Sequence, residues 1–255
     1  MQDGYAGFGP VGVGLLLALM PFFARPQGGP PMISDDPGTP GDGHWEINVA
    51  TLSFRTVDTD AIQVPLIDLN YGLGDRIQLK YEVPWVVEHS GDDVRAGLGG
   101  SLLGVKWRFF DGGASGWQVS TYPQVEFNYP ASSSPRRGLS DSGTNTLIPL
   151  EFERSYGHFD VDLEFGGWRR AAAGRDSWIA GVVVGSEWRK GIELIGELHD
   201  ETLTGSSRSE LIANFGARWD LSGRFTIMIA VGRDLENRIG PSNLLLTYVG
   251  LQTRL

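Results

Sequence analysis

The chain has 255 residues, 36 of them Gly, no Cys and a formal net charge of -10. That length allows one large all-β domain, and the slightly negative mean hydropathy excludes a bundle of membrane helices. The acidic balance argues against nucleic acid, whose phosphates need a basic surface, and the lack of Cys removes disulfides, thiolate nucleophiles and Cys-based zinc sites.

The first feature in chain order is the apolar run VGVGLLLALMPFFA, Val11 to Ala24. It is too short to span a bilayer comfortably and sits where a signal-peptide core belongs, so residues 1–24 are expected to direct export. Asp3, rather than a basic residue, precedes the run, and FFA departs from the usual small-residue cleavage pattern. Residues 25–43 are rich in Pro, Gly and Asp and read as an extended, irregular lead-in. Asp35 and Asp36 could bind a cation there, although a solvated linker is the plainer reading.

From Trp45 onward no helical period of useful length occurs. Residues 44–255 read instead as about twelve alternating segments of roughly ten residues, the length of a tilted transmembrane strand. They start near Trp45, Ala61, Arg76, Leu98, Trp117, Thr146, His158, Ser177, Ile192, Glu210, Arg224 and Asn243. Short turns (LGDR, DGGASG, SYGH, RKG, LSGR) alternate with longer polar connections at 88–95, 130–145, 169–176, 202–209 and 236–242. An even strand count, short turns on one side and long loops on the other describe an up-and-down antiparallel β-barrel in the bacterial outer membrane. The Trp residues agree with this layout, because membrane barrels place aromatic rings at both interfaces. Trp45, Trp107, Trp117, Trp188 and Trp219 fall on the short-turn side, and Trp85, Trp168 and Trp178 on the long-loop side. Trp168 breaks the apolar parity of its strand, which a bulge at Gly166 and Gly167 could reset.

The stretch PPMISDDPGTPGDGHWEIN, followed by YGLGDRIQLKYEVPW, resembles the start of the outer-membrane barrel family labelled meta-pathway of phenol degradation, whose members are described as transporters. The resemblance covers most of the exported chain, through these two motifs and the strand pattern. It implies transport of small solutes, with aromatic or other hydrophobic compounds among the candidates.

If the apolar parity meets lipid, the polar parity lines the lumen. GHFDVDLEFGGW and LEFERS then bring Glu151, Glu153, Asp160, Asp162 and Glu164 together, with Glu187, Glu193 and Glu197 extending the acidic wall beside Gly181 and Gly185. A two-residue turn at Tyr156 and Gly157 would set Glu153 opposite Asp160 and Glu151 opposite Asp162. Like charges so placed require water, shared protons or cations, or basic groups reaching across. Lys80, Lys106, Arg108 and Arg218 are the basic lumen candidates. Arg136 and Arg137, in the long loop from Ala131 to Thr144, could narrow the channel if that loop folds inward, although an exposed loop is the plainer reading.

These residues point to a channel or passive transporter with an acidic wall facing a smaller basic patch, whose partners are outer-membrane lipid and a small-molecule solute, with no cofactor and no metal. The same charges could instead pair and close the barrel into a structural or adhesive protein acting through its loops. An outer-membrane lipid hydrolase is a further alternative, but His89 and Ser90 are adjacent and point to opposite faces of a strand. His199 shares parity with Glu197 and could join a metal or proton site, against the plainer reading of a solvated lumen His.

Overall fold

The computed structural model describes residues 28–113, 116–172 and 175–255, so the expected signal peptide lies outside the described residues. Its strands are β1 (Trp45–Arg55), β2 (Thr59–Leu73), β3 (Ile77–Ser90), β4 (Asp93–Leu98), β5 (Ser101–Asp111), β6 (Trp117–Thr121), β7 (Gln124–Phe127), β8 (Asn145–Tyr156), β9 (Phe159–Arg169), β10 (Ser177–Arg189), β11 (Ile192–Leu203), β12 (Ser209–Asp220), β13 (Phe225–Asn237) and β14 (Leu245–Arg254). β4 and β5 both pair with β3, and β6 and β7 both pair with β5 and β8. Each of these pairs is therefore one stave with a break, at Gly99–Gly100 and at Tyr122–Pro123, and the fourteen segments make a twelve-stave antiparallel barrel.

Closure is a complete seam. β1 pairs with β14 from Glu46↔Arg254 to Arg55↔Leu245, and Trp45 and Leu255 exchange two backbone hydrogen bonds of 2.9 Å. A closed sheet satisfies every ladder group internally, which a wall facing lipid requires. The period-two pattern decides which side faces lipid. Ile148, Phe165, Phe215 and Val249 are exposed on the outside, whereas Asn48, Asp68, Glu151 and Asp162 are buried inside. Trp45, Trp107, Trp188 and Trp219 at the short-turn end, and Trp85 and Trp178 at the other, are exposed as interface rings would be. Trp117 is partly covered by the Arg154 guanidinium, 5.2 Å from its ring.

Three sequence expectations change. The β8–β9 turn is centred on Gly157 and His158, because Gly157 takes φ +66° as the first central residue. Tyr156 then faces Phe159, so the acidic pairs become Glu153↔Asp162 and Glu151↔Glu164, and Asp160 faces Ser155. The β9–β10 ladder runs unbroken to Trp168 and the β8–β9 ladder on to Arg169, so no bulge is present there. That ring keeps the lumen parity at the long-loop mouth, with Arg170 4.4 Å above it. Residues 88–95 do not form a long loop, since β3 and β4 continue as a hairpin to Ser90↔Asp93 about Gly91.

Candidate functional site

Residues 28–40 occupy the barrel interior, which corrects the solvated-linker reading of Asp35 and Asp36. Ser34 is 1% exposed and Asp36 4%. The segment enters at the short-turn end, where Gly72 accepts from Gly43 and donates to the His44 carbonyl, and Asp42 accepts from the Gly74 amide. It climbs the lumen, turns so that Gly29 donates to the Ser34 carbonyl at 2.7 Å, and returns to Arg218. The result is a hook anchored on four staves.

The side-chain anchors are polar and come from two parts of the wall, β5 on one side and the adjacent β11 and β12 on the other. Lys106 on β5, 2% exposed, holds the Asp35 carboxylate at 2.8 Å, donates to the Asp36 carbonyl and lies 4.7 Å over the Tyr122 ring. Glu197 on β11 accepts from the Ile33 and Ser34 amides at 3.1 and 2.6 Å and from Asn214 at 2.6 Å. His199 Nδ1 lies 3.1 Å from the Ser34 hydroxyl, so this imidazole contacts the hook. Arg218 on β12 donates to the carbonyls of Gly28, Gly29 and Pro30 and faces Glu193 at 3.4 Å. One apolar contact is added, where Met32 packs with Val183 and Ile195. Gly181 provides the clearance at the tip of the hook, because a Cβ there would run into the Ser34 side chain.

The acidic wall stands beside this hook. Glu151, Glu153, Asp162 and Glu164 are all 3% exposed or less. Ser120 donates to Glu151 at 2.5 Å, and Lys106 lies 3.8 Å from the same carboxylate. Both Asp162 oxygens, one Glu153 oxygen and one Glu151 oxygen are buried with no hydrogen-bond partner. Carboxylates so deeply covered mark a narrow lumen. Even so, among the described residues no group of three His or acidic side chains could hold a metal ion.

The remaining candidates are dispersed. Lys80 on β3 is held between Asp68 at 3.3 Å and Glu82 at 3.1 Å. Arg108 lies near the short-turn mouth, bonded to Gln118 and to the Asp75 carbonyl. Glu187 is exposed and caps the turn by accepting from the Gly191 amide, so it sits at the rim rather than on the wall. Arg136 and Arg137 form a 3-10 turn, Pro135–Arg137, and stay exposed. Arg137 donates to the Ala96 carbonyl and Leu139 packs against Gly97, so the loop covers the free edge of β4, and it is the hook that narrows the lumen. In the outer connection after β9, the Arg170 amide and the Arg169 guanidinium hold the Asp176 carboxyl below its usual range. His89 is exposed and faces Asp60 in the β2–β3 ladder, while Ser90 faces Thr59.

Sequence reasoning missed the hook. Its side-chain anchors in the wall are 70 to 190 residues away, and neither periodicity nor spacing reports such contacts.

No protein-family model and no curated protein matches the sequence. Among solved structures, the fold is similar to the COG4313 outer membrane channel from Pseudomonas putida F1, with a TM-score of 0.69 and 14% identity over 86% of this chain and 98% of that one. It is also similar to the KdgM porin (TM-score 0.55, 11% identity, 82% and 98% covered) and the NanC porin (0.56, 8%, 81% and 97%). One KdgM structure is in complex with disordered oligogalacturonate. At these identities the likeness shows the fold, which is that of a bacterial outer-membrane barrel.

Proposed function

We propose that this chain is an outer-membrane channel for small polar solutes, with an acidic lumen that favours cations and an N-terminal hook that closes it. The observation that carries this reading is a polar interior filled by a segment of the chain that is held there mainly by polar contacts. The hook is held by side chains that would otherwise face the lumen, through polar contacts that water can replace. A barrel serving only as a structural shell has no use for an inner wall of this kind, because burying unpaired carboxylates is costly unless water or cations reach them.

Charge along the path supports the cation preference. Glu151, Glu153, Asp162 and Glu164 sit on neighbouring staves at facing positions, whereas Lys80 is already flanked by two acids and Lys106 by Asp35. With the hook withdrawn, the acids outnumber the bases, and the field along the lumen attracts positive solutes. The resemblance to transporters of the phenol-degradation label suggests apolar solutes, but a wall of carboxylates, amides and lysines gives an apolar solute little to bind. Solute flux into liposomes containing the chain tests the proposal. A small cationic solute should enter faster than an anionic one of equal size, and faster entry of the anion would refute the acidic-lumen mechanism.

A further inference from the structure

Most of the lumen wall is polar, but the seam side of its long-loop half is not. On β13, β14 and β1 the inward positions are Ala230, Tyr248 and Leu52 at one level and Gly232, Leu246 and Phe54 at the next. Beneath them Ala50, Leu66, Met228 and Tyr248 form a buried apolar cluster. The tip of the hook comes up against this stretch, where Pro31 and Ile33 line a small cleft with Leu52, Phe54, Leu246 and Tyr248. Ile33 is 48% exposed there, although its neighbours Met32 and Ser34 are buried. The hook therefore presents an apolar side chain to the outer lumen while Glu197 holds its backbone. The cleft measures about 70 Å³, about half of the ~150 Å³ that takes up a benzene ring. It has room for one apolar end of a solute, not for a whole one.

The charge around the cleft has one sign. Asn214, which also lines it, faces Glu197 in the β11–β12 ladder and donates to that carboxylate at 2.6 Å. On the outer side, Asp234 follows Gly232 by two residues on β13, about 7 Å along a strand. Asp234 and Glu210 share two donors, the side-chain amides of Asn237 and Asn243. Every hydrogen bond to these three carboxylates comes from a neutral amide, whereas the Arg170 and Arg218 guanidiniums are engaged with Glu201 and Glu193. Carboxylates without a matching cation favour a positive charge among them. An anion is repelled here, and a wholly apolar solute gains one buried end and leaves the charges unmet. An inorganic cation leaves the cleft and Ile33 in water. An organic cation with a short branched tail meets both features, its tail in the cleft and its charge in the polar lumen.

We infer that the hook tip and strands β13, β14 and β1 form a subsite for alkyl-bearing organic ammonium ions, with the tail in the cleft and the ammonium toward Asp234 and Glu210. The subsite rests on the cation-favouring lumen proposed above and names the kind of cation. Isothermal titration calorimetry on the full chain in lipid nanodiscs, with the heats of empty nanodiscs subtracted, reads this binding without any current. The probe is 3-methylbutylamine at neutral pH, where it carries its proton. It should bind saturably and about tenfold or more tighter than methylamine, since each buried methylene is worth about fourfold. Uncharged 3-methylbutanol and the anion 4-methylpentanoate should bind about tenfold more weakly than the amine, because neither brings a positive charge to the carboxylates. Ile33→Ser should weaken 3-methylbutylamine binding about threefold or more and leave methylamine unchanged. Asp234→Asn should narrow the gap between amine and alcohol, and if that variant loses the heat-shifted gel migration of a folded barrel, Glu210→Gln carries the same test. Absence of saturable amine binding, alcohol or carboxylate binding as tightly as the amine, or unchanged amine affinity in the folded Ile33→Ser barrel would overturn the subsite. A chain that binds the amine as described and never conducts would refute the channel and leave the subsite standing.

Discussion

Lys106 is the anchor whose removal should most clearly release the hook. Lys106→Met keeps the length of the side chain but removes the ammonium that holds the Asp35 carboxylate at 2.8 Å and the Asp36 carbonyl. At that separation and an effective dielectric of ~20 the Coulomb attraction is about 6 kcal/mol, much of it offset by the desolvation both groups already bear. Breaking a buried pair typically costs about 3–5 kcal/mol. The Asp35 side chain is 18% exposed, which favours the lower end. About 3 kcal/mol is about a hundredfold change in the ratio of seated to released hook, at ~1.4 kcal/mol per tenfold. Planar-bilayer recording reads that ratio as the fraction of time the channel is open. Lys106→Met also leaves Glu151 without its nearest ammonium group, 3.8 Å away, so Asp35→Asn provides the same perturbation from the hook side without touching the wall. It should open the channel about tenfold, since an amide still accepts from Lys106 but lacks charge assistance. The two changes together should fall short of their sum because they share one contact. A folded Lys106→Met barrel that stays as closed as the parent would refute this reasoning.

Other expectations follow from the same contacts. Gly181→Val should raise the open fraction without lowering the temperature at which the gel shift is lost, because the added Cβ collides with Ser34 of the hook and meets His199 of the wall only at ordinary contact distance. Asp160→Asn with Asp162→Asn should leave the barrel folded, or slightly more stable because Glu153 no longer faces a like charge, and should shift the reversal potential toward lower cation preference, most clearly at low salt where the screening length is ~30 Å at 0.01 M. Gly157→Ala should cost about 1 kcal/mol through its positive φ, read as a lower unfolding midpoint in denaturant. Ser90→Ala should leave any lipid hydrolysis in a release assay unchanged, since His89 points to the opposite face.

The staves were legible in the sequence because period two and turn composition are local signals. Segment starts read at Trp45, Trp117, Ser177 and Ile192 coincide with β1, β6, β10 and β11. The register between β8 and β9 was not legible, since SYGH allows two neighbouring two-residue turns, and the choice is made by whether Gly157 is the first or second central residue. The acidic residues could be assigned a face but not facing partners for the same reason. The role of residues 28–43 was hidden by their own composition. Pro, Gly and Asp in irregular order describe a linker equally well in water or inside a barrel, and here the difference is made by Glu197, Lys106 and Arg218. The exposed position of the loop bearing Arg136 and Arg137 was the plainer reading of its sequence, but what it covers was not legible, because the β4 edge is left open only where Gly99 and Gly100 break the stave.

The most direct test of the hook-closed, acid-lined channel is single-channel recording in a salt gradient, comparing the parent chain with one lacking residues 28–43. The parent should be mostly closed, and the shortened barrel should conduct steadily with a reversal potential displaced toward that of the cation. A shortened barrel that is folded, inserts into the bilayer and passes no current would contradict the channel, and one that conducts with anion preference would contradict the acidic lumen.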